Sequence, residues 1–301
     1  MLIVACPGQG SQTPGFLLPW LELPSFAANI AEMSEAISVD LAMHGTVSDA
    51  DTIRDTAIAQ PLIVAASIAT ALELGRGFAG TAGHSVGEVA AAAVAGILSP
   101  EQAIKLVKKR GDEMASAAAI EKTSMAAVLG GDEQTVLARL AELGLHPANF
   151  NGGGQIVAAG SADGIAALVA EGPAGSRVIP LQVAGAFHTE YMQPAVAALS
   201  AYAEDVAVSD PAARIWSNQK GQEVSSGQEF LNLIVGQVAN PVRWDLTMQS
   251  LLNAGTTALI EVAPAGTLTG LAKRSMPGVE LLALKTPDQL DAAKELLKNH
   301  A

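Results

Sequence analysis

Gly83-His84-Ser85-Val86-Gly87, followed at once by an alanine-rich run to Leu98, constrains the fold more than any other stretch of the chain. A serine with a glycine two residues away on either side marks a sharp strand-to-helix turn, on which the hydroxyl stands clear of the backbone. The glycines remove side chains where strand, turn and helix crowd together. The pattern asks for a strand ending near residue 82 and a helix from Val86 to Leu98, which is one unit of an α/β fold. Its strand half, Phe78-Ala79-Gly80-Thr81-Ala82, is short and poor in β-branched residues. Taken alone, five residues with three fixed positions suit an ordinary glycine-rich turn as well as a nucleophile for acyl transfer.

At 301 residues the chain suggests one large domain carrying an inserted or appended smaller one. Half the residues are hydrophobic but only 4% are aromatic, which fits small-residue helices packed closely on a sheet rather than a β-sandwich. The single cysteine, Cys6, excludes an intrachain disulfide and lies in an apolar strand, so it belongs to the core. No apolar run approaches the length of a membrane span, and Leu2–Cys6 breaks into Pro7-Gly8 with no basic residue before it. A cytoplasmic protein without a membrane partner is expected. The net charge of -13 argues against nucleic acid, since phosphate binding needs a positive footprint. An acidic partner must meet a local basic patch, for which Lys105, Lys108, Lys109 and Arg110, or Lys273 and Arg274, are candidates; basic helix ends are more commonly solvated faces.

Leu2–Ala5 reads as a buried strand entering the glycine-rich loop Pro7-Gly8-Gln9-Gly10-Ser11-Gln12. That loop lacks the third glycine of a dinucleotide fingerprint, and Pro14 prevents an immediate helix, so no nicotinamide cofactor is expected. Helical patterns follow over 26–37, 49–56, 60–75 and 100–119, the last opened by Pro100-Glu101. From Thr123 the units shorten: strands at 125–129, 147–151, 155–159 and 177–183 alternate with helices at 132–143 and 162–171. The order β-α-β-β-α-β is that of a ferredoxin-like unit. The fold class expected is therefore α/β, a large hydrolase-like domain with a parallel-sheet core (1–121 and 188–301) holding an inserted ferredoxin-like subdomain (122–187). Helices near 192–206, 229–238 and 244–254, strands at 214–217, 258–262 and 279–283, and a last helix at 288–300 complete the large domain.

With these segments placed, the chain resembles the malonyl-CoA:acyl carrier protein transacylases from end to end. The resemblance rests on Pro7-Gly8-Gln9-Gly10-Ser11-Gln12, Gly83-His84-Ser85-Val86-Gly87-Glu88, Arg110, Asn149 with Asn151 and Gly154-Gln155, Gly185-Ala186-Phe187-His188, Asn240-Pro241-Val242-Arg243-Trp244 and Glu261-Val262-Ala263-Pro264. It implies that Ser85 attacks the thioester of malonyl-CoA and that His188, of the five histidines at 44, 84, 146, 188 and 300, is its base. It further implies an oxyanion hole from the backbone N–H groups of Gln9 and Val86, a backbone carbonyl at Arg243 that orients His188, and a bidentate grip of Arg110 on the malonyl carboxylate. Phe187 and Val86 resemble the versions of their motifs that select malonyl over methylmalonyl groups, and Gln60 and Gln155 are further pocket positions. The implied partners are malonyl-CoA as substrate and acyl carrier protein, docking on basic residues near the cleft, for fatty acid or polyketide synthesis. Without the resemblance, His188 reads more readily as a packed strand-end histidine, Arg110 more readily as one more helix cation, and the first loop as a tight turn that needs its glycines. His84 takes local packing or a supporting hydrogen bond. Ala265, where relatives carry more glycine, is the one departure.

Two other classes compete. A serine hydrolase would share the turn and let water resolve the acyl-enzyme, although a β-α-β-β-α-β insertion is unlike a hydrolase lid. A noncatalytic scaffold would have lost Ser85, His188 or Arg110, and all three are present. No spacing of His, Cys and carboxylates resembles a metal ligand set, and no organic cofactor is implied, coenzyme A being a substrate.

Overall fold

The computed structural model describes residues 1–183 and 185–300. Eleven strands are found among them: β1 (Leu2–Cys6), β2 (Gly80–Gly83), β3 (Thr123–Gly130), β4 (His146–Gly152), β5 (Gln155–Ser161), β6 (Ser176–Pro180), β7 (Arg214–Trp216), β8 (Glu223–Val224), β9 (Val242–Arg243), β10 (Ala258–Glu261) and β11 (Glu280–Ala283). They form two sheets, ordered β11-β10-β1-β2-β7-β8 and β6-β3-β5-β4-β9.

The first sheet is parallel from β11 through β7, with β8 antiparallel at its edge. Its centre is β1, every residue of which is buried. Because strand side chains alternate, Leu2, Val4 and Cys6 enter one core and Ile3 and Ala5 the opposite one, so helices cover both faces. The helices Thr56–Leu74 and Pro100–Ala118 pack over the larger core, whereas Trp216, Trp244 and Met248 fill the other. Cys6 is free and buried in the larger core, as its apolar strand implies. The fold is thus mixed α/β with two sheets and an inserted β-α-β-β-α-β unit.

In that unit β3 lies between β6 and β5, and β5 pairs with β4, all antiparallel. The unit has its own small core of Val128, Leu140, Ile156, Ile165 and Leu168. The sheet does not end at β4: β9, from far down the chain, pairs parallel to it with Asn149 opposite Val242 and Phe150 opposite Arg243. The β-α-β-β-α-β unit is therefore joined to the rest of the chain by main-chain pairing as well as by its two connections.

Several expected elements shift for identifiable reasons. The helix following the turn is Gly87–Val94 and stops short of Leu98. Gly96, at φ +82°, ends it, with Gly96 N–H on the Ala93 carbonyl and Ile97 N–H on that of Ala92. Residues 49–55 are mostly loop, with a single 3₁₀ turn at Thr52–Arg54, because Asp55 caps the following helix by accepting from Ala57 N–H at 2.8 Å. That helix begins at Thr56 and takes Pro61 into its interior. It also corrects the reading that no run approaches a membrane span, since Thr56–Leu74 is long and apolar enough. It lies 78% buried within the protein, as the central helix of the larger core. The short helix Leu41–Thr46, capped by Asp40, was not anticipated.

The turn around Ser85 depends on close backbone approach. A Cβ on Gly83 would stand 2.0 Å from the Gly87 carbonyl carbon, and one on Gly87 would stand 2.2 Å from the Cys6 oxygen. Those neighbours are main chain and cannot swing aside. Gly83→Ala is expected to destabilise the protein by more than about 2 kcal/mol in urea unfolding; a change under about 0.5 kcal/mol would show that the turn is not so confined.

Candidate active site

Ser85 sits at the carboxyl end of β2 with φ +54°, a left-handed backbone that a residue bearing a Cβ seldom adopts. The conformation is held by Gly87 N–H on the His84 carbonyl at 2.9 Å, Glu88 N–H on that of Ser85 at 2.9 Å, and Ser85 N–H on Asn218 Oδ1 at 2.8 Å. The loop after β1 lies against this turn, since a Cβ on Gly8 would meet the His84 carbonyl oxygen at 2.8 Å. Gln9 thereby comes to the same cleft as Ser85. Among the described residues neither Gln9 N–H nor Val86 N–H donates to a protein acceptor.

His188 reaches Ser85 from 103 residues away, its Nε2 2.7 Å from Oγ. Its own φ is +63°, and its N–H donates to the Val238 carbonyl at 3.1 Å. Nδ1 faces the Gln237 carbonyl at 2.8 Å. A carbonyl only accepts, so Nδ1 carries the proton and Nε2 turns its lone pair to the serine hydroxyl. Burial, then the nearby Arg110 charge, pushes the imidazole down to about 3. It is neutral, and able to accept a proton, throughout the physiological range.

This corrects the expectation that the Arg243 carbonyl orients His188. The Arg243 carbonyl accepts from Thr247 Oγ1 at 3.1 Å, and its side chain lies 4.5 Å over the Phe150 ring while pairing with Asp245. Val242 and Arg243 are drawn to the second sheet as β9. Gln237, by contrast, ends the helix Gly227–Gln237, where the last carbonyls have no partner within the helix and are free to accept from an imidazole.

Arg110 comes from the middle of the helix Pro100–Ala118 and is only 1% exposed. Nη1 donates to Gln60 Oε1 at 2.7 Å, Nη2 to Gln237 Oε1 at 3.0 Å, and Nη2 stands 3.5 Å from Ser85 Oγ, the outer limit of a hydrogen bond. Nε has no partner among the described residues. Burial lowers the guanidinium to about 10, which leaves it cationic at neutral pH. A buried donor without a partner costs on the order of 1–3 kcal/mol. Arg110 is thus buried and forms no part of the surface patch expected with its lysine neighbours. Lys105, Lys108 and Lys109 pair with Glu101, Asp112 and Glu113, so that patch is largely neutralised.

The cleft in front of Ser85 and His188 has a volume of about 410 Å³ and runs between the two sheets. Gln9, Gln60, Gln155 and Phe187 line it, as do two residues the sequence reading left out, Met114 and Leu271. Val86 does not: its side chain packs in the large core, which corrects the part expected of that side chain in acyl selectivity. His84 Nε2 lies 2.9 Å from Asn151 Oδ1 on β4, which ties the turn to the second sheet. One cleft wall is the helix Thr267–Ser275, fixed by the buried Glu261 carboxylate, which accepts from the N–H groups of Gly266, Thr267, Leu268 and Thr269 at 2.8–3.1 Å. Lys273 and Arg274 are exposed on this helix, and Arg274 reaches the cleft and donates to Gln155 Oε1 at 3.2 Å. No group of three His, Cys, Asp or Glu side chains suited to a metal occurs among the described residues.

Comparison with known proteins agrees in extent with this architecture. The acyl transferase domain family matches residues 4–294. The malonyl CoA-acyl carrier protein transacylase of Mycobacterium tuberculosis (strain ATCC 25618 / H37Rv) is 49% identical over 302 residues, covering 98% of this chain and all of that protein. Its counterpart in Bacillus subtilis (strain 168) is 32% identical over 97% of this chain and 96% of its own. A crystal structure of the Mycobacterium tuberculosis enzyme superposes with a TM-score of 0.94 at 48% identity, covering 98% of this chain and 99% of that one. A malonyl-transacylase solved in complex with its type II polyketide acyl-carrier protein gives 0.91 at 30% identity, with 98% and 99% covered. On matches that run nearly the whole length of both chains, this protein belongs to the malonyl-CoA:acyl carrier protein transacylase family of acyl transferases.

Proposed function

We propose that this protein transfers a malonyl group from malonyl-CoA to the pantetheine thiol of acyl carrier protein through an ester on Ser85. The observation that carries the reading is the meeting of three groups at one hydroxyl: Ser85 Oγ lies 2.7 Å from His188 Nε2 and 3.5 Å from Arg110 Nη2. Ser85 Oγ attacks the thioester carbonyl while Nε2 takes its proton. The N–H groups of Gln9 and Val86 receive the charge that develops on the carbonyl oxygen, and removing such a donor typically costs about 100- to 1,000-fold in rate. Collapse breaks the C–S bond, and His188 returns the proton to the departing thiolate. The carrier thiol then gives its proton to His188 and attacks the ester, and Ser85 recovers a proton as it leaves.

Arg110 supplies the selection. Its cation, and the Nε donor without a partner among the described residues, fit the carboxylate at the tail of a malonyl group. Phe187 and Met114, which line the cleft, restrict the room for a branched acyl chain. The carrier docks at the rim marked by Lys273 and Arg274, whose charges are exposed, rather than on the paired lysines of 105–109. The reaction requires no bound metal or organic cofactor. Fatty acid or polyketide synthesis in the cytoplasm is its setting.

Ser85→Ala is expected to abolish the acyl adduct that intact-mass analysis detects after mixing with malonyl-CoA; a surviving adduct would place the nucleophile elsewhere. Arg110→Ala should lower kcat/KM for malonyl-CoA by about 100-fold while changing acetyl-CoA acylation by less than about threefold. An equal loss for both substrates would contradict the carboxylate assignment. The neutral imidazole is the active form and its pKa lies far below the ordinary value, so protonation sets in only at low pH. Acylation kcat/KM should therefore hold level from about pH 8 to pH 5.5 in stopped-flow assays, whereas a fall centred near 6.5 would contradict a buried, uncharged base. Lys273→Glu should raise KM for the carrier by about tenfold and leave hydroxylamine-trapped acylation by malonyl-CoA within about twofold.

A further inference from the structure

A cluster of buried polar side chains that do not line the cleft joins all three groups of the mechanism. Glu88 is the first acidic residue of the helix Gly87–Val94 and is 1% exposed. It does not line the cleft. One carboxylate oxygen accepts the Asn218 N–H at 2.6 Å, and the other accepts from the Gln237 side-chain amide. Gln237 turns its amide oxygen to Arg110 at 3.0 Å and its main-chain carbonyl to His188 at 2.8 Å. Asn218 accepts the Ser85 N–H at 2.8 Å and donates to the Gly83 carbonyl at 2.8 Å.

An amide can face a neighbour with either its oxygen or its NH₂, and the two ends differ only in what they can pair with. Arg110 has donors alone, so Gln237 is useful to it in one orientation only. Each Glu88 oxygen faces a donor, and the ionised carboxylate, which offers only acceptors, forces the NH₂ of Gln237 toward itself and the oxygen toward Arg110. We propose that Glu88 is a positioning residue which, through Gln237 and Asn218, fixes Arg110 for the malonyl carboxylate and the Ser85 turn for attack. The inference rests on the roles proposed above for Ser85, His188 and Arg110.

Glu88→Gln tests it with almost no change of shape. The new amide has one acceptor where two are needed, so its NH₂ meets a donor at either Asn218 or Gln237. If Gln237 turns to relieve this, Arg110 faces an NH₂. The ratio of malonyl-CoA to acetyl-CoA acylation rates, read by stopped flow on protein shown folded by circular dichroism, should fall about tenfold in Glu88→Gln. Glu88→Asp is a poorer fit in shape but keeps two acceptors, and its ratio should fall less, by about threefold. A role in packing alone predicts the reverse order, or no change of ratio, and either result would overturn the proposal. Should Glu88→Gln not fold, Gln237→Met removes the oriented amide at similar volume. Its ratio should fall by about tenfold, and an unchanged ratio would equally overturn the proposal. Arg110→Ala serves as the control: if it leaves the ratio unchanged the reading of the site itself fails, and if it shifts the ratio while Glu88→Gln does not, only the role of Glu88 fails.

Discussion

Arg110 carries a positive charge into the protein interior, and a charge taken out of water has to be met there by polar groups or it will not stay. Much of the site's arrangement follows from that requirement. Gln60 and Gln237 accept from the guanidinium, Glu88 holds Gln237, and Asn218 joins Glu88 to the Ser85 backbone. The same cation suppresses protonation of His188, which burial already opposes. A receptor for a carboxylate and an imidazole kept uncharged are thus two results of one placement. Burial pushes Glu88 up to about 8 even against the opposing pull of its hydrogen-bond donors and of the Arg110 charge.

Two frames hold these groups. The parallel sheet brings the ends of β1 and β2 side by side, so the Gln9 loop and the Ser85 turn meet across glycines that admit no side chain. The second sheet closes the cleft from the other side, and is tied back by His84 to Asn151 and by β9 alongside β4. Acyl transfer needs the thioester carbonyl to sit between nucleophile and N–H donors in one orientation, and a cleft between two sheets that share the larger core provides a fixed surface on each side of it.

The sequence made some of this legible. Alternation and helical spacing marked the βαββαβ order of 123–180 and most helices of the larger part, because each is a local pattern. The helix Leu41–Thr46 was too short, and too interrupted by Gly45, to show a period. Ser85 stood out through its glycines, which answer a local steric demand. His188 and Arg110 did not stand out by themselves, since the chemistry that singles them out arises across 103 and 25 residues of separation. Only the resemblance to a known family drew attention to them. The carbonyl behind His188 was misplaced at Arg243 because a main-chain oxygen leaves no trace in residue identity; what distinguishes Gln237 is its position at a helix end. Asn218 and Gln237 were passed over for a related reason: buried amides carry no spacing signature.

The central claim is that a malonyl group sits as an ester on Ser85 with its free carboxylate held by Arg110. A crystal structure of the malonyl-enzyme, trapped in the absence of carrier, tests it directly. The account predicts continuous density from Ser85 Oγ to a carboxylate within hydrogen-bonding distance of the Arg110 guanidinium, with Nε among the donors. An ester on another residue, or a malonyl tail turned away from Arg110 toward solvent, would contradict it.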